Sequence, residues 1–431
     1  MKLSRTHLDL PVEKNRAQES PGVMFSEKIE NKVWPIEDWL FKKLLAIAGN
    51  PKIRIRLWDG RVHYTPKKRE NGPVMTILNR KTLWRLFLNP NLNFGDDYSR
   101  GLIVCEDSKL KDLLEATFRA IVLNVNHGPL QKFLIKGLTK VQSNTLNQSR
   151  KNIHHHYDLG NDFYRLWLDD EMTYTCAYFT NPGMSLEEAQ VAKMDHVCKK
   201  LRLRSGEKVV EAGCGWGGFA RHMALNYGVR VCSYNISSEQ IGSAKTRARK
   251  EGFEDRVEYI LDDYRNIKGR NFDVFVSIGM LEHVGRDHYK QLGRVIDRVL
   301  DENGRGLIHS IGKNRPEPTC AWTNKRLFPG GYSPSLKEMM EVFEEKGFSV
   351  TDVENLRLHY ALTLDHWLER YEKHLDWVKQ HFDEFFVRAW RLYLAGASAN
   401  FSAGALQLFQ VLFTRPTRND IPWTRADLYL D

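Results

Sequence analysis

The chain has 431 residues, 42% hydrophobic and 11% aromatic, with 64 Lys and Arg against 54 Asp and Glu for a net charge of +10. That length predicts two or three domains with a sizeable core, and the composition excludes a peptide-scale scaffold and a largely disordered chain. The charge is uneven: residues 1–150 carry 26 basic and 15 acidic side chains, net +11, whereas residues 151–431 sum to −1. The N-terminal third is therefore the expected contact for something anionic, either nucleic acid or the phosphate face of a bilayer.

Residues 1–33 are polar, with a Pro21-Gly22 pair, and predict an arm of no assigned activity. Residues 34–140 mix a helix (36–48), a short alternating stretch (52–58) and an apolar-periodic segment (110–138), which predicts a small α+β unit. The stretch VQSNTLNQSR at 141–150 reads as a linker, leaving 151–431 as a second domain. Adjacent histidines at 154, 155 and 156 rarely converge on one ion, so no metal site is expected. Beyond them strand-like runs at 208–212, 230–233, 257–261, 273–278 and 306–310 alternate with amphipathic stretches. That βαβ alternation predicts an α/β domain with a mostly parallel sheet covered by helices on both faces. The segment 365–394 is helical and dense in aromatics, including Trp367, Tyr371, Trp377, Phe382, Phe386 and Trp390, best read as core rather than as a lipid channel. Six cysteines without C-x-x-C or zinc spacing predict a reduced intracellular protein with no disulfide and no structural zinc. No apolar run reaches the ~20 residues needed to span a bilayer, and the N-terminus lacks a secretory signal pattern, so a soluble or surface-lying protein is expected.

The segment KVVEAGCGWGGFARHMA places a short apolar strand before Gly213, Gly215, Gly217 and Gly218, then a helix. Glycines allow the sharp turn and the close approach of a ligand, and the helix N-terminus adds unpaired N–H groups. Gly217 stands one position ahead of the third glycine of the G-x-G-x-x-G spacing, and Glu211 precedes the turn where it can meet an amine or ribose. The second strand ends not in an acidic residue but in Asn235, Ile236, Ser237, Ser238, Glu239 and Gln240. Together these features favour S-adenosylmethionine over NAD. Asn235 and Gln240 can hydrogen-bond a sugar, and Asp263 with Tyr264 can hold the edge and face of an adenine.

The stretches HYDLGNDFYRLWLDDEMTYTCAYF (156–179), EAGCGWGGFA (211–220), NISSEQ (235–240), SIGMLEHVG (277–285), HSIG (309–312) and NKRLFPGG (324–331) together resemble the cyclopropane fatty acid synthases over residues 34–415. The resemblance implies a Rossmann-like class I methyltransferase domain with a seven-stranded sheet, preceded by a lipid-binding unit. It implies transfer of a methylene group from S-adenosylmethionine to the cis double bond of an unsaturated acyl chain in a membrane phospholipid. Cofactor contacts would come from Tyr174, Thr175, Glu211, Ala212, Gly213, Gly215, Trp216, Gly217, Asn235, Ser237, Gln240, Asp263 and Tyr264. The family holds bicarbonate as general base, and the matching residues here are Cys176, Glu282, His309, Ile311 and Tyr360. In that set His and Tyr can donate hydrogen bonds, backbone N–H groups at Cys176 or Ile311 can add more, and the Glu282 carboxylate can accept from the bicarbonate hydroxyl. Aromatic faces can stabilise the carbocation that methyl addition creates.

One departure stands out. Where the family often has a cysteine in the helix before its QLWQ-like segment, this chain reads LAGASANFSAGALQLFQ, with Ala397 or Ser398 at that place, so a nucleophilic thiol there is unavailable. A related product, a methylene- or methyl-branched chain, is the competing expectation. Family resemblance also implies a homodimer and a cytoplasmic protein held peripherally on the inner face of the membrane. Lys67, Lys68, Arg69, Arg80, Lys81 and Arg85 are candidate phosphate contacts beside an apolar face from Trp84, Leu86 and Phe87. An RNA methyltransferase is the rival of another class, but the chain shows no aromatic-basic RNA module, and no nucleic-acid partner is expected.

Overall fold

In a computed structural model, residues 32–64, 72–106, 110–124, 159–269 and 272–429 are described. The arm, the linker at 141–150, the three histidines and Lys67, Lys68 and Arg69 lie outside them.

The N-terminal unit opens with α1 (Pro35–Ile47), where Pro35 occupies the first turn and the Glu37 carboxylate caps the N–H of Trp34. Three short strands follow, β1 (Arg54–Arg56), β2 (Val62–Tyr64) and β3 (Val74–Ile77). Then come α2 (Arg80–Leu88), α3 (Pro90–Ser99), β4 (Ile103–Glu106) and α4 (Leu110–Leu123). The strands form a four-stranded sheet in the order β2-β1-β3-β4, so the expected α+β character holds. Asn79 and Asn89 cap α2 and α3 by accepting from the N–H of Thr82 and Leu92.

The larger unit is a seven-stranded sheet in the order β10-β11-β9-β8-β5-β6-β7. Its strands are β5 (Lys208–Ala212), β6 (Arg230–Asn235), β7 (Val257–Leu261), β8 (Phe272–Ile278), β9 (Leu300–Gly312), β10 (Ser349–Asn355) and β11 (Gln407–Thr414). All five strands expected from the sequence are present, and β9 is longer at both ends than the apolar run suggested. Only β11 runs against its neighbours, pairing antiparallel with both β9 and β10. The covering helices are α5 (Leu186–Leu201), α6 (Gly218–Tyr227), α7 (Ser238–Glu251), α8 (Tyr289–Val299), α9 (Arg357–Lys373) and α10 (Glu384–Ala403).

The aromatic segment belongs to the core. Trp167, Trp367 and Trp390 are almost wholly buried, and Phe163 sits among Trp167, Tyr371, Phe382, Phe386 and Trp390 in edge-to-face contacts 5.0–6.5 Å apart. This cluster is continuous with Phe41, Ile55, Leu83 and Leu113 of the N-terminal unit, so α9 and α10 form the surface on which that unit packs. Polar ties cross the same boundary: Lys111 Nζ lies 2.6 Å from the Asp365 carboxylate, and Arg326 forms a two-point pair with Asp96. Among the described residues no helix is long and apolar enough to cross a membrane.

Candidate active site

A cleft opens at the carboxyl ends of β5, β6, β7 and β8, where strand order reverses on either side of β5 and where open α/β sheets place their ligands. After Ala212 the backbone enters the left-handed region at Gly213 (φ 88°), Gly215 (φ 52°) and Gly217 (φ 81°). A side chain on Gly215 would meet nothing within 4 Å, so this glycine keeps the cleft floor open; one on Gly217 would strike the Tyr259 hydroxyl at 2.5 Å. That hydroxyl donates to Gly217 O at 2.7 Å, so Gly217 fixes the turn to β7 instead of lining the cleft.

Ten of the thirteen expected cofactor residues line the cleft: Tyr174, Thr175, Glu211, Gly213, Gly215, Trp216, Asn235, Gln240, Asp263 and Tyr264. Ala212, Gly217 and Ser237 are not among its walls; Ser237 caps α7 by accepting from the Gln240 N–H. Asn235 Nδ2 donates to Gly215 O at 3.3 Å and to Gln240 Oε1 at 2.8 Å, tying the turn to α7. The Glu211 carboxyl accepts from Ser233 Oγ at 2.7 Å, and burial pushes its pKa up to about 7. A ligand ammonium beside it would favour the charged form. The acidic group, the open glycine floor and the Asp263–Tyr264 corner fit a nucleoside that carries an amino acid.

Several cleft residues were not anticipated. Lys193 of α5 is 1% exposed yet lines the cleft, donating from Nζ to Thr175 Oγ1 at 2.9 Å. Burial draws its pKa down to about 8. Gln190, one turn earlier, donates to Thr175 O at 2.9 Å, so α5 holds the TYTCAYF segment against the cofactor floor. Glu171 is gripped by Arg221 and Arg247 and pins the start of that segment to α6 and α7. Met280 and His283 complete the wall, and burial lowers the His283 pKa to about 4.

The five residues expected around bicarbonate come from segments that the fold stitches together. Glu282 lies in the short helix Leu281–Val284 directly after β8, and its Oε1 accepts from the Ile311 N–H at 2.6 Å. The Ile311 N–H is thus committed to Glu282 and is not the free donor anticipated from sequence. Gly279 N donates to His309 O at 2.9 Å, and a side chain on Gly279 would touch the Thr175 methyl at 3.0 Å, which brings the 175–177 segment to the same junction. Ala177 N donates to Thr363 Oγ1 at 3.0 Å, joining that segment to α9 one turn beyond Tyr360. Tyr360 stacks on Phe401 at 4.6 Å. The Cys176 thiol donates to Ala177 O at 3.1 Å, and burial raises its pKa far above the usual thiol range, so it is no thiolate nucleophile.

Two side-chain atoms on these segments are buried without a hydrogen-bond partner among the described residues: Glu282 Oε2 and His309 Nε2. Burial pushes Glu282 up to about 7 and His309 down to about 3. A buried carboxylate oxygen and a buried imidazole nitrogen, both left open, suit a small oxyanion that carries one hydroxyl, and bicarbonate is compatible with that pair.

At the stretch that holds Ala397 and Ser398, the serine has a structural use. Ser398 is fully buried and donates either to Asp365 Oδ1 at 2.7 Å or to Ala361 O at 3.1 Å. It thus braces the carboxylate that receives Lys111 of the N-terminal unit.

The family model for mycolic acid cyclopropane synthetase matches residues 144–411. A "probable fatty acid methyltransferase" of Pseudomonas putida is 34% identical over 396 residues, covering 88% of this chain and 96% of that protein. The cyclopropane-fatty-acyl-phospholipid synthase of Escherichia coli K12 is 39% identical over 267 residues, 62% of this chain and 68% of the relative. Among solved structures, mycolic acid cyclopropane synthase CmaA1 complexed with SAH and CTAB superposes with a TM-score of 0.58 at 30% identity, covering 62% of this chain and 98% of that one. The chain belongs to the mycolic acid cyclopropane synthetase family as an S-adenosylmethionine-dependent methyltransferase.

Proposed function

We propose that the protein adds a methylene group from S-adenosylmethionine across the cis double bond of an unsaturated acyl chain in membrane phospholipid, forming a cyclopropane. The observation that carries this reading is the pair of unpartnered buried atoms, Glu282 Oε2 and His309 Nε2, the former next in sequence to His283 of the cofactor cleft. Simple methyl transfer to a heteroatom needs no such site. Methyl addition to an alkene leaves a cation that must lose a proton before the ring can close, and bicarbonate, when bound, supplies the base for that proton.

Each part of the chain has a role in this reaction. Glu282 would orient the base by accepting its hydroxyl, while His309 and the Cys176 N–H would hold its charged oxygens. The aromatic wall of Tyr174 and Trp367, 5.3 Å apart, and the Tyr174–Tyr393 hydroxyl pair at 2.8 Å exclude water from the cation and offer it π faces. Holding methyl donor and double bond in one geometry would supply a large part of the rate. The test is incubation with S-adenosylmethionine, bicarbonate and liposomes containing cis-monounsaturated chains, followed by mass spectrometry and proton NMR of the released acids. A gain of one CH₂ with loss of olefinic protons and appearance of upfield ring protons is expected. The same gain with unsaturation retained would replace the ring by a methylene branch, and no gain would overturn the reading. The branched product is the second reading, compatible with the P. putida relative named only as a probable fatty acid methyltransferase over 88% of this chain.

For the membrane contact the structure redirects the sequence expectation. Arg80 and Arg85 are engaged internally with Glu37 and Asp97, and Leu86 is only 6% exposed, so none of these three faces a bilayer freely. Trp39 (49% exposed), Trp84 (37%) and Leu88 (69%) stand out instead. Trp84 and Leu88 share one face of α2, and Phe87 of that helix lies 6.5 Å from Trp39. Lys42, Lys43 and Lys81 are exposed around them, with the Lys43 ammonium 5.7 Å from the Trp39 ring. Aromatic side chains ringed by lysines suit an anionic interface. Trp39→Ala with Trp84→Ala is expected to weaken binding to anionic vesicles in cosedimentation by roughly tenfold or more, at about 1–2 kcal/mol for two interfacial rings, with S-adenosylmethionine affinity unchanged. Unaltered vesicle binding would assign the contact elsewhere.

A further inference from the structure

His309 carries one proton on two nitrogens, and which nitrogen holds it decides whether Nε2 can donate to an anion. The answer is written in a chain of buried side chains running from α5 across β10 and β11 to β9. Lys200 of α5 is 5% exposed; its Nζ lies 2.6 Å from Glu354 Oε2 and 2.9 Å from Gln410 Oε1. Glu354 also takes His196 Nε2 at 2.8 Å. Paired with a carboxylate, the Lys200 ammonium has only hydrogens to offer, so the Gln410 atom facing it must be the carbonyl oxygen. The amide nitrogen then faces His309 Nδ1, at 3.1 Å, and donates to it. Nδ1 must be the bare, accepting nitrogen. The hydrogen therefore sits on Nε2, the buried atom that finds no partner among the described residues.

We propose that Lys200 and Gln410 are positioning residues that fix His309 in the Nε2–H tautomer, turning it into a hydrogen-bond donor for the oxyanion at the Glu282 junction. The proposal rests on the bicarbonate reading above for the identity of the anion, but not for the tautomer. The sheet makes the arrangement rigid: Gln410 and His309 are directly paired across β11 and β9, so their side chains leave the same face at adjacent positions. Neither Lys200 nor Gln410 need touch a reactant; they act on the reaction only through the ring of His309.

Gln410→Glu tests this. A carboxylate there still accepts from Lys200 but can only accept from His309, which puts a proton on Nδ1 and, while the ring stays neutral, leaves Nε2 a bare acceptor facing the anion; a doubly protonated ring is told apart by its ¹⁵N shifts. Lys200→Met is the second variant, since without the ammonium the Gln410 amide is free to turn and both tautomers become populated. The measurement is long-range ¹H–¹⁵N NMR of ¹⁵N-histidine-labelled full-length protein, with His309 assigned by its loss in His309→Asn. Expected are an Nε2–H signature in the unmodified protein, Nδ1–H in Gln410→Glu and a mixture in Lys200→Met. The bicarbonate concentration for half-maximal turnover should rise by on the order of 10- to 100-fold in Gln410→Glu, with S-adenosylmethionine affinity unchanged. A purely structural role would move the melting temperature without moving the tautomer. An Nδ1–H signature in the unmodified protein overturns the proposal. So does an unchanged Nε2–H signature in folded Gln410→Glu or, should that variant not fold, in Lys200→Met. An Nε2–H signature that follows the variants but does not respond to added bicarbonate supports the relay and removes bicarbonate as its ligand.

Discussion

Glu282→Gln is expected to lower turnover by roughly 10²-fold or more while S-adenosylmethionine binds as before. The glutamine is nearly isosteric, so its Oε1 can still accept from the Ile311 N–H and the 282–311 junction stays closed. What changes is the other atom: an N–H replaces Oε2, the buried acceptor that has no partner among the described residues. A bicarbonate hydroxyl would then face a donor, and the base would be lost or misoriented. The pH dependence gives a second readout. Burial raises the Glu282 carboxyl from its ordinary 4.5 to about 7. It accepts a proton-bearing partner only when ionised, so activity should fall as pH drops through about 7. Glu211 is raised to a similar value, so the wild-type profile alone does not assign that limb; its loss in Glu282→Gln does. Stability moves the opposite way. The folded state holds the Glu282 proton more tightly than the unfolded state between pH 4.5 and 7, so its contribution is fully present below about 4.5 and is lost as pH rises through 7. Ionising the side chain in place costs on the order of 3 kcal/mol, and the glutamine variant lacks that loss. Full activity in Glu282→Gln would remove Glu282 from the reaction, and persistence of the acidic limb in a slowed variant would assign that limb to Glu211.

The parallel half of the sheet was legible because buried strands read as short apolar runs, and β5 to β9 each carry one. The turn after β5 was legible from its glycines, but their spacing separated nothing. Gly218 also occupies the third position of G-x-G-x-x-G, so the case against a dinucleotide rested on Asn235 standing where an acidic residue would be. β10 escaped notice because it is an edge strand with polar residues along its length, and β11 because it follows a helix so closely. Lys193 and Lys200 look like solvent-facing lysines of an amphipathic helix. The signal against that was present in their spacing: with Leu186, Ala189 and Val197 they fall at three- and four-residue steps on one stripe, the buried one. Charge on such a stripe marks a side chain that must find its partner inside. Which partner it finds, Thr175 for one and Glu354 with Gln410 for the other, is set by strands and loops up to 210 residues away, and no local pattern encodes it.

The same logic applies to Asp96, whose loss is expected to destabilise the protein by about 3–5 kcal/mol. Asp96 of α3 is 4% exposed, and its two oxygens take Arg326 Nε at 3.0 Å and Nη2 at 2.9 Å. Arg326 is itself 5% exposed, in the short helix Ala321–Arg326 of the NKRLFPGG stretch. Asp96→Ala would remove the carboxylate that pairs with a buried guanidinium. The packing around the pair leaves no room for water to enter: a side chain on Gly95 would lie 2.4 Å from the Trp322 ring. The effect should appear as a lower urea midpoint with an unchanged denaturant slope. Replacing both partners by apolar residues, Asp96→Leu with Arg326→Met, should recover much of the loss, because it removes the desolvation penalty together with the attraction. This arginine lies in a motif that resembles the catalytic family, yet its contact is with the N-terminal unit. Two residues on, Phe328 packs 5.6 Å from Tyr393 and 6.2 Å from His283, so the same stretch that docks the basic unit also backs a residue of the cleft wall. Loosening the dock should therefore lower turnover on liposomes more than it lowers S-adenosylmethionine affinity, since the glycine floor and α5 are held independently. A loss in Asp96→Ala below about 1 kcal/mol would instead mean that water reaches the pair and that the two units are held together by their shared aromatic core and their other polar ties, Lys111–Asp365 among them.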